Sequence, residues 1–180
     1  STWAFQAGEA KRSDGQPITA EDAAWTFNKM MTDDGAKTAN GPAVENFASV
    51  TASGQDLTIK LKTPQASMLE NPVPIMPKHV WEKVTDIGKY EALDGVASGP
   101  FTLEEWKKGQ FWRMEANPNF WRGQVSIDEV VFRIFRNADA MVAALKSGEL
   151  DAAHAVPEAA FPGLETTEGI VAVEGEQGGF

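Results

Sequence analysis

Ser13-Asp14-Gly15-Gln16-Pro17-Ile18-Thr19-Ala20-Glu21-Asp22 compresses a turn and a helix start into one short stretch. Asp14 offers a local side-chain acceptor and Gly15 tolerates positive φ, so 13–15 is expected to reverse the chain. Thr19 reads as an N-cap, and Glu21 and Asp22 put acids at the positive end of a helix dipole. Ala23, Phe27, Met30 and Met31 then recur at helical spacing, which predicts a helix over 20–31 with one buried face, ended by Asp33-Asp34-Gly35. Upstream, Trp3-Ala4-Phe5 has strand-like residues. The local order is therefore strand, turn, helix.

Working outward, residues 36–46 are rich in Gly, Pro, Asn and small side chains and read as a loop. Phe47 to Thr51, the turn Ser53-Gly54-Gln55, and Leu57, Ile59 and Leu61 alternating with polar residues predict a hairpin with one wet face. Met68 and Leu69 suit a short helix, whereas Pro72, Pro74 and Pro77 make 71–78 extended or turned. Two short helices are expected over His79–Lys83 and Ile87–Leu93. The stretch from Gly95 to Pro100 is the expected domain boundary. Beyond it, Phe101–Leu103 and Phe111–Glu115 around Lys108-Gly109 predict a second hairpin, and Asn117-Pro118-Asn119 a turn presenting Phe120 and Trp121. Val130, Phe132 and Ile134 alternate as a strand. Asn137 can cap a helix bearing Met141, Val142 and Leu145, with Gly148 at its C′ position. Leu150–Ala153 and Ile170–Val173 are expected to be short strands.

The chain has 180 residues, 16 basic and 26 acidic, for a formal charge of −10. The acidity is even along the chain, so no basic patch suited to phosphate neutralisation exists and nucleic acid is disfavoured as a partner. No apolar run approaches the ~20 residues of a membrane helix. Zero cysteines exclude disulfides, thiolate metal sites and cysteine nucleophiles within these residues. Two histidines without a His-x₃-His spacing make a metal centre unexpected, and no cofactor motif is present.

Seven short phrases keep an order that resembles the extracellular solute-binding proteins, family 5, of peptide and nickel ABC importers. They are Trp3-Ala4-Phe5, Ser13 to Pro17, Thr19 to Asp22 with Trp25 and Phe27, Pro77-Lys78-His79, Gly99-Pro100-Phe101, Asn117-Pro118-Asn119-Phe120-Trp121, and Leu145 to Asp151. Ala116 stands where the family usually has Arg. The resemblance implies a mixed α/β (α+β) fold, a fragment of the type II periplasmic-binding-protein architecture with a mixed sheet and flanking helices. Family members are commonly about three times longer and close two lobes on a ligand. Residues 1–96 would be the smaller subdomain of the first lobe, and 97–180 the middle segment of its larger subdomain. The second lobe would lie outside this stretch, so the chain is expected to be a piece of a longer protein.

Most motif residues have a sufficient structural explanation. Asp14, Gly15, Asp22, Gly99, Pro100, Asn117, Pro118 and Gly148 read as turns and caps rather than ligand contacts. His79, beside Pro77, reads the same way. By the resemblance, residues just after Asp151 face the interlobe cleft, which makes His154, Ala155 and Val156 candidate ligand-binding residues; read alone, His154 is as well a partly buried histidine bonded to a carbonyl. Asn71 and Phe180 fall near cleft-facing segments of relatives and complete the candidate set. The implied function is capture of a small solute, a peptide by default, for delivery to a membrane permease. The expected location is periplasmic or extracellular, with lipid anchoring of the full-length protein an option. An enzyme is the contrasting class, but no Gly-x-Ser-x-Gly, Walker loop or defining carboxylate pair occurs. The alternative is a cell-surface carbohydrate-binding or hydrolytic module without a transport role.

Overall fold

The computed structural model describes residues 2–4, 10–66, 73–93 and 95–175, with 2–4 and Ala39 as backbone only. The elements in chain order are β1 (Thr2–Ala4), α1 (Ala20–Thr32), α2 (Asp34–Asn40), β2 (Phe47–Ser53), β3 (Asp56–Leu61), α3 (Lys78–Trp81), β4 (Phe101–Lys107), β5 (Phe111–Ala116), β6 (Glu129–Arg133), α4 (Ala138–Lys146) and α5 (Phe161–Glu165), with 3₁₀ turns at Gly41–Val44, Ile87–Lys89 and Glu158–Ala160. The chain divides into two compact units. One comprises Ser1–Trp106 and Trp112–Val131, the other Lys107–Phe111 and Phe132–Phe180.

In the first unit, α1 lies on an antiparallel sheet of order β1-β3-β2. Its capping box is complete, as expected from Thr19. Asp22 N donates to Thr19 Oγ1 at 3.1 Å, and Thr19 N donates back to the Asp22 carboxylate at 3.1 Å. Ala20, Ala23, Ala24, Phe27 and Met30 form its buried stripe and meet Phe47, Val50, Leu57 and Ile59 of the sheet. Phe27 meets Phe47 edge to face, with ring centroids 5.5 Å apart. Phe47 and Val50 are three apart, yet both face the core. The register shifts between Phe47 and Ser49, and this irregularity restores the inward parity that strict alternation would break.

Residues 36–46, expected to be a loop, are helical as far as Val44. Asp33 ends α1 and also caps α2, its carboxylate accepting from Ala36 N at 3.2 Å. A seven-residue helix is marginal alone; this one is held because Ala36 is buried and Gly35 lies against the backbone of Gly88. A Cβ on Gly35 would stand 2.7 Å from Gly88 N. Gly35→Ala is therefore expected to cost about 1–3 kcal/mol despite alanine's better helix propensity, read as a lowered Tm. A rise in Tm would mean that the two backbones separate freely.

The hairpins over 47–61 and 101–116 form as expected, with Gly54 and Gly109 in the left-handed region at their turns. β4, β5 and β6 make a second three-stranded sheet in that order. Arg113 of β5 reaches Glu105 of β4 and Glu129 of β6, so the central strand carries the cation. The helix expected over 87–93 contracts to the 3₁₀ turn at Ile87–Lys89, where Tyr90 packs edge-on to Trp81 at 4.9 Å. Met68, Leu69 and Pro72 lie outside the described residues.

Two expected strands are corrected. Leu150–Ala153 and Ile170–Val173 pair with no strand among the described residues. Leu150 N is drawn instead to Ala144 O at 3.2 Å. Val171 and Val173 are 87% and 79% exposed. Alternating apolar residues specify a strand face, but a strand needs a partner edge, and none is supplied here.

Candidate functional site

The first unit shows why the recurring phrases stay together. Ser13 N donates to Ala97 O at 2.7 Å, and Ala97 N returns a bond to Ser13 Oγ at 3.1 Å. Asn117, 1% exposed, sends its Nδ2 to Gly99 O at 2.8 Å and its backbone N to Pro100 O at 2.8 Å, while its Oδ1 accepts from Asn119 N at 2.9 Å. Asn119 Nδ2 then reaches Ser13 O at 2.9 Å. Three phrases separated by up to a hundred residues are thus one hydrogen-bonded clasp. His79 is taken up by it as well, its Nε2 lying 2.7 Å from Asp14 Oδ2.

Burial raises the affinity of Asp14 for its proton, but hydrogen bonds from Gln16 N and His79, with the charges of His79 and Arg12, outweigh it and hold the carboxyl below its ordinary range. A carboxylate whose folded-state pKa is depressed contributes stability above the unfolded value of about 3.9, and loses it as pH falls through the folded one. The side chain is 30% exposed, so screening limits the effect to about 1 kcal/mol or less. The stability difference between the native protein and Asp14→Asn should be full at pH 6 and close towards pH 3. A gap independent of pH would assign the effect to shape rather than charge.

The clasp has a structural role, and the candidate site is the larger concavity, in the second unit. Asn137 caps α4 by accepting from Asp139 N at 2.7 Å, and Gly148 turns out of its far end at φ +75°. The chain then runs through Leu150–Val156, turns at Glu158–Ala160, forms α5 anchored by buried Leu164, and returns along Ile170–Glu174. These two irregular stretches wall a concavity of about 1460 Å³, to which Leu145, Phe161 and Leu164 add apolar surface. A second hollow, of about 240 Å³ in the first unit, is lined by Val80, Trp81, Phe101, Leu103 and Met114 among others and carries no titratable side chain.

His154, Ala155 and Val156 all line the larger concavity. Ala155 is held at φ +58°, a conformation that is uncommon for a residue with a Cβ and concentrates at ligand-contacting sites. From Asp151 to Val156 the main chain makes no hydrogen bond to another described residue, and the same holds for Val171–Glu174. Both walls therefore offer free N–H and C=O groups. Asn71 and Phe180 lie outside the described residues. The charged lining was not anticipated: Asp151, Glu158 and Glu174 contribute carboxylates, while no Lys or Arg lines the cavity. The signal was present, because after Lys146 the sequence has only acids among its Lys, Arg, Asp and Glu positions.

Comparison with known proteins places this arrangement. The sequence family described as bacterial extracellular solute-binding proteins, family 5 Middle, matches residues 7–180. The oligopeptide-binding protein AppA of Bacillus subtilis is 30% identical over 149 residues, covering 78% of this chain and 27% of that protein. The solved structure of the Bacillus subtilis protein in complex with a nonapeptide superposes with a TM-score of 0.80 at 25% identity, over 93% of this chain and 36% of that one. NikZ from Campylobacter jejuni in complex with Ni(L-His) superposes with a TM-score of 0.81 at 19% identity, a likeness of fold alone. The architecture is the mixed α/β one of type II periplasmic binding proteins. This chain matches only about a quarter to a third of AppA, 27% by sequence and 36% of its solved chain. With the match running from Ala7 to Phe180, the chain belongs to the bacterial extracellular solute-binding proteins of family 5.

Proposed function

We propose that the chain is part of the first lobe of an ABC-importer solute-binding protein that captures a peptide outside the membrane and hands it to a permease. In this reading residues 1–96 belong to the smaller subdomain and 97–180 to the middle segment of the larger one. The observation that carries the peptide assignment is the pair of walls whose main-chain groups are unbonded among the described residues, Asp151–Val156 and Val171–Glu174. A peptide's own N–H and C=O groups are the natural partners of such walls, because an extended ligand gains main-chain hydrogen bonds whatever its side chains. The concavity also exceeds the roughly 300–1,000 Å³ of pockets that hold one small molecule. AppA of Bacillus subtilis, one of the similar proteins of known structure, was solved with a nonapeptide.

Capture by closure needs no covalent step; the closed state is favoured by the ligand's differential affinity for it. The reading is tested on the full-length protein by calorimetric titration with a mixed set of short peptides, which should bind and raise its Tm. Hydrolysis of the peptides or of oligosaccharides, without stable binding, would favour the alternative of a hydrolytic surface module. His154→Ala should raise Kd about tenfold, ~1.4 kcal/mol, by removing one hydrogen-bonding side chain from the wall. An unchanged Kd would remove His154 from the site.

A further inference from the structure

We infer that the Arg133–Glu149 ion pair is a positioning bracket for the cavity wall that carries His154, an inference resting on the assignment of that wall to ligand binding. The end of α4 is closed firmly. Ala144 O accepts from Glu149 N at 2.9 Å, Leu150 N at 3.2 Å and Ser147 Oγ at 3.0 Å, while Gly148 N donates to Leu145 O at 3.1 Å. Leu150 is the last residue of this knot, and the Oε1 of Glu149 just before it accepts from Arg133 Nη1 at 2.8 Å. The Arg133 guanidinium also lies over the Phe135 ring, 5.1 Å from its centroid, which limits the orientations open to it.

Downstream of Leu150 the described residues add packing at half-buried Ala153 and Val156 but no polar tether. No backbone hydrogen bond or ion pair joins Asp151–Val156 to another described residue before the turn at Glu158–Ala160. The direction in which the chain leaves Glu149-Leu150 therefore sets where Asp151 to Val156 run. Both charged side chains are half-exposed, so the pair stabilises the fold little. Its consequence is local, in the angle of exit rather than in global stability. Glu149 does not line the cavity, which makes it a residue that acts through its neighbours.

The experiment uses the full-length protein with Ala152→Cys as the only cysteine within residues 1–180, carrying a nitroxide label, without ligand. Glu149→Gln and Arg133→Gln are each expected to sharpen the label's spectrum, reporting a looser wall, with the Tm nearly unchanged. The exchanged pair Arg133→Glu/Glu149→Arg should restore the broader spectrum, which loss of packing alone would not do. In parallel, both single variants should raise the peptide Kd about 1.4- to 5-fold, the span of an exposed ion pair of 0.2–1 kcal/mol. Identical label spectra in all variants would overturn the bracket, whether or not peptides bind. A looser wall with an unchanged Kd would overturn its role in ligand positioning. Failure of the native protein to bind any peptide would count against the peptide assignment, and the label spectra would still decide the bracket.

Discussion

Asp22→Ala is expected to destabilise the protein by about 3–5 kcal/mol, the largest effect of any single substitution considered. One carboxylate holds three segments together. Its oxygens accept from Thr19 N at 3.1 Å, from Lys78 N at 2.9 Å and from Arg12 Nη2 at 3.5 Å. Next to it, Thr26 Oγ1 donates to Asp22 O at 2.8 Å and accepts from Met76 N at 3.0 Å. Alanine removes the cap contact to Thr19, leaves Lys78 N without its acceptor, and strands Arg12. That last loss dominates. Arg12 is 2% exposed, its Nε has no hydrogen-bond partner among the described residues, and its other contact is to Ile75 O at 3.3 Å. A buried guanidinium without its counter-charge costs several kcal/mol.

The same argument fixes the control. Arg12→Met alone should also destabilise, though by less than Asp22→Ala, because it leaves the buried Asp22 carboxylate without its counter-charge while the bonds from Thr19 N and Lys78 N remain. Arg12→Met combined with Asp22→Ala should recover much of the loss, leaving roughly the 0.5–2 kcal/mol of a lost cap. Urea denaturation of the four proteins measures this directly. A double variant as unstable as Asp22→Ala would show that the cap and the bond to Lys78 N, and not the buried charge, carry the effect.

Asn117→Ala comes next, at about 2–3 kcal/mol. The carboxamide donates to Gly99 O and accepts from Asn119 N in a fully buried position, so truncation leaves two polar groups without partners. Asn119 in turn carries the bond to Ser13 O, so the loss spreads into the clasp. Asn117→Asp separates the two halves of the argument. It keeps the acceptor for Asn119 N but turns an oxygen towards Gly99 O, and it should be no more stable than alanine. An aspartate variant of native stability would mean that the donor to Gly99 O is dispensable.

Much of the first unit is legible along the chain because its signals are local. Thr19 with Asp22, the helical stripe from Ala23 to Met30, Gly54 and Gly109 at hairpin turns, and Asn137 with Gly148 around α4 each act within a few residues of themselves. The order of the phrases marked the family, and it did so without showing why they recur together. The clasp of Ser13, Gly95–Pro100 and Asn117–Asn119 joins residues up to 106 positions apart. Asn117 read as a turn former, and its burial and its bond to Gly99 O belong to the tertiary structure.

What only the assembled chain decided has one physical source: partners distant in sequence override local preference. Gly, Asn and Pro between 35 and 46 signal a loop, yet contact with Gly88 and the burial of Ala36 make it helical. Phe47 and Val50 violate strand alternation until the register shift reconciles them. Nothing local to Arg12 signals its burial, which Asp22 and Ile75 O make possible by receiving its guanidinium. In the opposite direction, Leu150–Ala153 and Ile170–Val173 have strand character that no neighbouring edge satisfies. The linear order of turns, caps and apolar stripes thus determined the elements and the family, while the pairing of remote groups decided which elements persist and left Asp151–Val156 and Val171–Glu174 without main-chain partners among the described residues.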